Sequence, residues 1–496
     1  MNARSLTLTG LCLLVAACGN PVRVYRSKPP AAPAASAAKP DPEAWRAQMP
    51  GPGKPAELAF PTPELVTLPN GLKLYIVPRP APVVTASLVV RHGASSVPAG
   101  KSGLAALTAR MLTEGTKKRS SLELTEAVEN LGSSLGSDAG RDESSVSLGA
   151  LNTDIDQALG LLSEVVQTPA FNAKEFTRVR SEWLDSLASE RQNPQRLASM
   201  VGLRLLNGAV HGAPVRGSVK DVTALTVRDL QDFHRRAYTP KNAALIVVGE
   251  IDRAALQASV ERHFGRWRGA EPSAALPFSP GEPPSKLRVV MVDRPGAVQS
   301  ALFAVQPFPK RSDGGYETRE VLGKVVGGLF TSRINLNLRE KHAYTYGAFG
   351  QALSTQAWGA FFVSTSVRSD ATAAALGEIV AELEKARDPA RGAPIKTDEV
   401  QRGKADLIHS LGASLEHTSR VAGAVSEIYV DGLPADYYAR YPTTLAAIDE
   451  KAVAQAAQAL QPGHMIAVIV GDRAQIEKQL TSRGWTVETA TADLTD

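Results

Sequence analysis

Hydrolysis by a bound zinc ion needs two imidazoles one helical turn apart and a carboxylate beside them to take a proton from the metal-bound water. The segment GLAALTARMLTEGT, residues 103–116, has the helical patterning to carry such a set but lacks the ligands. Ser102 is placed to cap a helix whose apolar face is Leu104, Leu107, Thr108 and Met111. Ala106, Ala109, Arg110 and Thr113 then fall on the other side. Two alanines and an arginine neither grip a divalent cation nor abstract a proton, and a guanidinium is a fixed positive charge that repels a metal. The eight histidines are His92, His211, His234, His263, His342, His409, His417 and His464, and none lies three or four residues from another. HxxxH and HxxEH therefore occur in no register.

The elements that would position a site come in two sets. Residues 77–90 (VPRPAPVVTASLVV) lie without a gap on residues 292–305 (VDRPGAVQSALFAV), and residues 240–250 (PKNAALIVVGE) lie on 462–472 (PGHMIAVIVGD). The offsets are 292 − 77 = 215 and 462 − 240 = 222, so a unit of roughly 200 residues is repeated in tandem. Each half opens on Val-, Leu- and Ile-rich strands, continues with a long stretch of helical periodicity and returns to an apolar strand near its end. Strands and helices that cluster instead of alternating predict an α+β class. The halves are assigned to residues 61–268 and 287–490, joined by a linker at 269–286 that holds five prolines and two glycines.

Composition excludes some functions. The formal charge is +5, and no long Lys/Arg run tracks a phosphate backbone, so nucleic-acid binding is disfavoured. Residues 1–17 have the proportions of a signal peptide, and Val15-Ala16-Ala17-Cys18 resembles a bacterial lipobox. The resemblance implies a lipid on Cys18. Gly19 follows in place of the aspartate that retains lipoproteins in an inner membrane, which points to a Gram-negative outer membrane with the body facing the periplasm. Residues 18–60 are Pro/Ala-rich and read as a tether able to reach on the order of 100 Å. Cys12 would leave with the signal, so no intrachain disulfide is expected.

The segment GLAALTARMLTEGTKKRS is similar to GLAHLLEHMLFKGTxxRS of the pitrilysin/insulinase family of zinc peptidases. On that register Ala106 and Arg110 stand at the two zinc-binding histidines and Ala109 at the general base, and Ser186, in WLDSLASERQNP, stands at the third ligand. LTVRDLQDFHRRAYTPKNAALIVVGEID and VVGGLFTSRINLNLREKHAYTYGAF extend the resemblance across most of residues 61–490. It implies two tandem homologous domains, each an antiparallel-rich sheet packed with helices. It also implies that Arg339 and Tyr346, which match the arginine and tyrosine that the family projects toward substrate from its non-metal domain, are substrate-binding residues. His342 lies between them and could line the same cleft.

The chain thus resembles a non-catalytic subunit: no metal and no catalytic residue of its own, zinc expected only in a catalytic partner, pairing with an HxxEH-bearing subunit as a heterodimer or with another copy as a homodimer, and unfolded peptides as substrates. A peptide-binding or scaffold lipoprotein with no proteolytic role is the alternative. An autonomous peptidase would require a metal site that the sequence does not display.

Overall fold

Each half contributes six strands to one sheet. In the computed structural model, which describes residues 43, 46, 59–273, 275–278, 280–281 and 284–491, the first half forms β1 (Glu64–Thr67), β2 (Lys73–Pro78), β3 (Val83–Val90), β4 (Leu135–Ala139), β5 (Ser144–Leu151) and β6 (Ala243–Gly249). The second forms β7 (Arg288–Asp293), β8 (Gln299–Pro307), β9 (Ala348–Ser354), β10 (Gly359–Arg368), β11 (Ile466–Gly471) and β12 (Val487–Ala490). The strand orders are β1-β2-β6-β3-β5-β4 and β12-β7-β11-β8-β10-β9. The signal at 1–17, Cys18 and all but the last two residues of the 18–60 tether lie outside the described residues, save Glu43 and Arg46. Phe60, assigned to the tether from sequence, is instead buried, its ring 5.1 Å from Tyr438.

The repeat extends to five strands, with β2, β6, β3, β5 and β4 matched by β7, β11, β8, β10 and β9. The parallel central pairs keep register, Lys73 beside Ala244 and Arg288 beside Ile466. The gapless alignment fails by one residue at the next strand. Val89 pairs with Ala244 but Val305, not Ala304, pairs with Ile466, because the β7–β8 connection is one residue longer than β2–β3. The sixth strand comes from opposite ends of the halves: β1 precedes β2 and runs antiparallel to it, whereas β12 follows β11 and lies parallel to β7. Both sheets are therefore mixed, with antiparallel pairs in the majority.

The central strands are apolar on both faces, a pattern that demands cover on both sides. Each half's own helices cover one face. Leu74, Ile76, Leu88, Leu245 and Val247 join a core with Leu104, Leu107, Met111, Leu159 and Leu162. The other face is covered by a helix from the other half. Helix Thr418–Asp431 packs on β3 and β6, where Val421, Val425 and Tyr429 share a core with Tyr75, Val77, Val89 and Ile246. Reciprocally, helix Pro194–His211 packs on β8 and β11, burying Leu197, Ala198 and Val201 against Phe303, Val305 and Val468. Polar contacts fix the exchange. Arg91 Nε donates to the Tyr429 carbonyl at 2.9 Å with its guanidinium 4.3 Å from that ring, and Arg294 donates to the Gln192 carbonyl at 2.6 Å.

The turn between β4 and β5 carries carboxylates into this junction. Asp142 Oδ2 accepts from the Gln356 backbone N–H at 2.8 Å, and Gln356 Nε2 donates to Asp431 at 2.7 Å. Burial, reinforced by the negative charges of Asp142, Asp431 and Glu427, pushes the Glu143 carboxyl up to about 7 from an ordinary 4.5. The native state then holds a proton that the unfolded chain has released, so this group's stabilisation declines as pH rises from about 4.5 through about 7. Glu143→Gln is expected to flatten that decline and to raise stability at pH 8 by on the order of 2 kcal/mol. Urea denaturation of both proteins across this range checks it; parallel pH profiles would contradict it.

Candidate functional site

The segment 324–349 builds one wall of a cavity of about 730 Å³. A π-helical turn, Lys324–Gly328, ends at the glycine pair. A Cβ on Gly327 would stand 2.6 Å from Gly350 Cα, so glycine here is what lets β9 lie against the turn. A short helix, Arg333–Asn335, runs into a second π-helical turn, Leu336–Lys341, which carries Arg339. Such turns are uncommon and concentrate at functional sites. This one is clamped: Arg333 makes 2.8 and 2.6 Å bonds to the two Glu399 oxygens, Asn337 donates to Glu378 and Glu382, and Asn335 Oδ1 accepts from Ala348 N at 2.9 Å.

Arg339 and Tyr346 both line this cavity. The Arg339 guanidinium sits 4.4 Å from the Phe330 ring centroid, and its one ion pair among the described residues is a 3.4 Å contact with the neighbouring Glu340. Tyr346 is 90% exposed, and its hydroxyl makes no hydrogen bond among the described residues. Both groups are free to donate. His342 turns elsewhere, stacking on Tyr344 at 5.0 Å with Nε2 3.7 Å from Glu378.

The turn that aims Tyr346 has left-handed backbone at Ala343, φ 52°. A Cβ in that region of backbone space costs energy. Ala343→Gly is expected to stabilise the fold by about 0.5–1 kcal/mol despite the added freedom of the unfolded chain. A fall in the denaturation midpoint would contradict that conformation.

The rest of the lining was not anticipated from sequence. Phe303, Phe330, Phe349 and Phe362 give it an aromatic floor, with Phe303 stacked on Phe362 at 5.1 Å, while Gln195, Arg196 and Leu203 come from the helix donated by the first half. No carboxylate lines it among the described residues. Its rim includes β9, the edge of the second sheet, where Phe349, Gln351 and Leu353 alternate toward the cavity. An edge strand offers unpaired backbone groups to an extended peptide. The alternation was the one available signal.

The other predicted position is closed. Helix Leu104–Leu112 is buried nearly all round, with Ala106 3% and Ala109 0% exposed, because it packs between β4, β5 and the helices Val227–Ala237 and Ala173–Gln192. Ser102 does not cap it. Gly103 is the N-cap at φ 86°, and the Ser102 hydroxyl donates to Asp221 at 2.6 Å instead. Arg110 pairs with the buried Glu114 at 2.5 Å and donates to Thr113 Oγ1 at 2.7 Å. Glu114 also pairs with Arg178 at 2.5 Å and accepts from Ser121 at 3.1 Å. Ser186 is half-buried on helix Ala173–Gln192. Alanine, alanine, arginine and serine are no zinc donor set, and among the described residues no group of three His, Cys, Asp or Glu side chains could hold a metal ion. One motif was overlooked: GSSLG, residues 132–136, has G-x-S-x-G spacing. It leads from a helix into β4, the reverse of a nucleophile elbow, and its motif serine, Ser134, is exposed at the entry to that strand.

Comparison with known proteins agrees with this architecture. Residues 74–214 match Insulinase (Peptidase family M16), and residues 224–407 match the Peptidase M16 inactive domain. The chain belongs to peptidase family M16. An uncharacterized zinc protease of Mycobacterium tuberculosis is 28% identical over 295 residues, 58% of this chain and 66% of the relative. The zinc protease PqqE of Helicobacter pylori is 24% identical over 386 residues, 76% of this chain and 85% of that one. Among solved structures, the peptidase M16 inactive domain from Pseudomonas fluorescens superposes with a TM-score of 0.76 at 23% identity, covering 83% of this chain and 98% of that one. A protease from Helicobacter pylori gives 0.75 at 20%, covering 83% and 100%. The first two of these relatives are named zinc proteases; in this chain no group of three His, Cys, Asp or Glu side chains among the described residues could hold that ion.

Proposed function

We propose that this chain is a non-catalytic M16 subunit that binds unfolded peptide and contributes Arg339 and Tyr346 to the active site of an HxxEH-bearing partner. The observation that carries the reading is the pairing, on one aromatic cavity lined by no carboxylate among the described residues, of a guanidinium tied only to its neighbour Glu340 and the Phe330 ring and a phenol without a hydrogen-bond partner there. Both can donate to a peptide carbonyl oxygen and hold the charge that grows there during attack. The partner supplies the metal. This chain supplies binding along the β9 edge, pockets for apolar side chains and the two donors. Placement in a Gram-negative outer membrane, periplasm-facing and anchored through Cys18, belongs to the same proposal and rests on the leader sequence.

The alternative, a peptide-binding scaffold with no part in cleavage, draws on one feature: both halves of the chain already line the cavity, so peptide binding alone needs no second subunit. Cleavage of a quenched peptide library separates the two. The chain alone, the HxxEH subunit alone and their mixture are assayed; turnover by the mixture well above the sum of the parts supports the subunit, and peptide binding without any such gain supports the scaffold.

A further inference from the structure

A second large cavity, about 750 Å³, belongs to the first half and the first two residues of the linker, and shares no lining residue with the peptide cavity. It lies between the turn at residue 117, the segment 167–171, the end of helix Val227–Ala237 and the segment 266–270. Among the described residues five cationic side chains line it, Lys117, Arg235, Arg236, Arg266 and Arg268, and no carboxylate does. Arg235 pairs with Asp232 on its own helix. Arg268 donates only to backbone carbonyls, those of Gly265 at 2.9 Å and Trp267 at 3.0 Å, so its charge stays uncompensated. Lys117, Arg236 and Arg266 make no side-chain hydrogen bond or ion pair among the described residues. Four positive charges thus converge without a counter-charge, in a concave wall that concentrates their potential.

The mounting is rigid. Lys117 N donates to the Thr168 carbonyl at 2.9 Å, Ala170 N donates to Gly115 at 3.1 Å, and Thr116 bridges Pro169. Phe171, in the wall, is held at φ 45°, a left-handed backbone that a residue with a Cβ adopts only under constraint. Its ring meets His234 edge-on at 5.5 Å, and His234 in turn stacks on Tyr238 and bonds the Val166 carbonyl at 2.8 Å. Burial holds that imidazole neutral, its pKa lowered to about 4, so it adds no charge to the floor.

We infer that this cavity is a binding site for a polyanion bearing phosphoryl groups. Guanidinium groups match phosphoryl oxygens by paired, charge-assisted hydrogen bonds, and four uncompensated cations call for more than one anionic charge. The phosphoryl groups belong either to a free oligophosphate or to the headgroups of an anionic bilayer.

The test uses the full chain, with pyrophosphate followed by calorimetry and by Trp267 fluorescence, and with phosphatidylcholine vesicles with and without phosphatidylglycerol. Arg236→Glu/Arg266→Glu reverses two exposed charges in the cavity, and Lys220→Glu/Lys451→Glu makes the same net change elsewhere. Saturable pyrophosphate binding that weakens about tenfold or more in the first variant and is kept in the second supports the site and a free ligand. Loss of phosphatidylglycerol-dependent vesicle binding in the first variant only, with no pyrophosphate binding, supports the site and a lipid source. Binding of neither probe, or equal losses in both variants, overturns the inference. Peptide cleavage plays no part in these readouts, so this inference and the subunit reading can fail separately.

Discussion

Arg339→Ala is expected to lower kcat/KM of the complex with an HxxEH-bearing subunit by about 100-fold, the scale seen when one donor to a developing oxyanion is removed. The fold should not suffer. Among the described residues the guanidinium makes no buried ion pair; it rests on the Phe330 ring and pairs with its neighbour Glu340, so what is lost is a donor facing the cavity. Tyr346→Phe removes a hydroxyl without an internal partner and should cost about tenfold in kcat/KM, again without loss of stability. Steady-state cleavage of one quenched peptide by the wild-type and variant complexes, with denaturation curves alongside, checks both. Unchanged turnover with both side chains removed would leave the scaffold reading standing.

Glu114→Ala is expected to destabilise the first half by about 3 kcal/mol. Burial alone would raise the Glu114 carboxyl pKa, but Arg110, Arg178 and Ser121 outweigh it and the net shift is downward. Its stabilisation is therefore present above the ordinary carboxylate range and fades as pH falls below it. Removing the carboxylate strips Arg110 of its ion pair and leaves Arg178 only Glu175 and Glu182 of its own helix, so the bridge between the two segments is gone. On the family register Arg110 stands where a zinc-binding histidine would be, so a fixed cation and its buried counter-ion now tie the opening helix to helix Ala173–Gln192. A loss below about 1 kcal/mol in urea denaturation would show the network to be solvated and weak.

Local chemistry was legible wherever it was decided locally. Strands β2, β3, β6, β7, β8 and β11 announce themselves by Val/Ile/Leu runs, and their repetition exposes the tandem halves. The exchange of helices Pro194–His211 and Thr418–Asp431 was not legible, because periodicity shows that a face is buried and not against which sheet. Ser102 misled for the same reason: its hydroxyl is claimed by Asp221, 119 residues away, a partner no local rule can see. The opening helix was read as two-sided, yet small alanines on its second side let neighbouring elements close over them. At the site, the resemblance located Arg339 and Tyr346, whereas the aromatic floor escaped because its phenylalanines come from β8, β9, β10 and a turn and meet only in the fold.

The most direct measurement is metal content. Full-length, untagged chain, purified without chelator, is dialysed against micromolar zinc and then against metal-free buffer, and analysed for zinc per folded molecule alongside peptide hydrolysis. The account predicts far less than one equivalent and no turnover, since the positions that would grip the ion hold Ala106, Arg110 and Ser186 and that of the general base holds Ala109. One tightly held equivalent in the first half, with hydrolysis by the lone chain that a chelator abolishes, would contradict it.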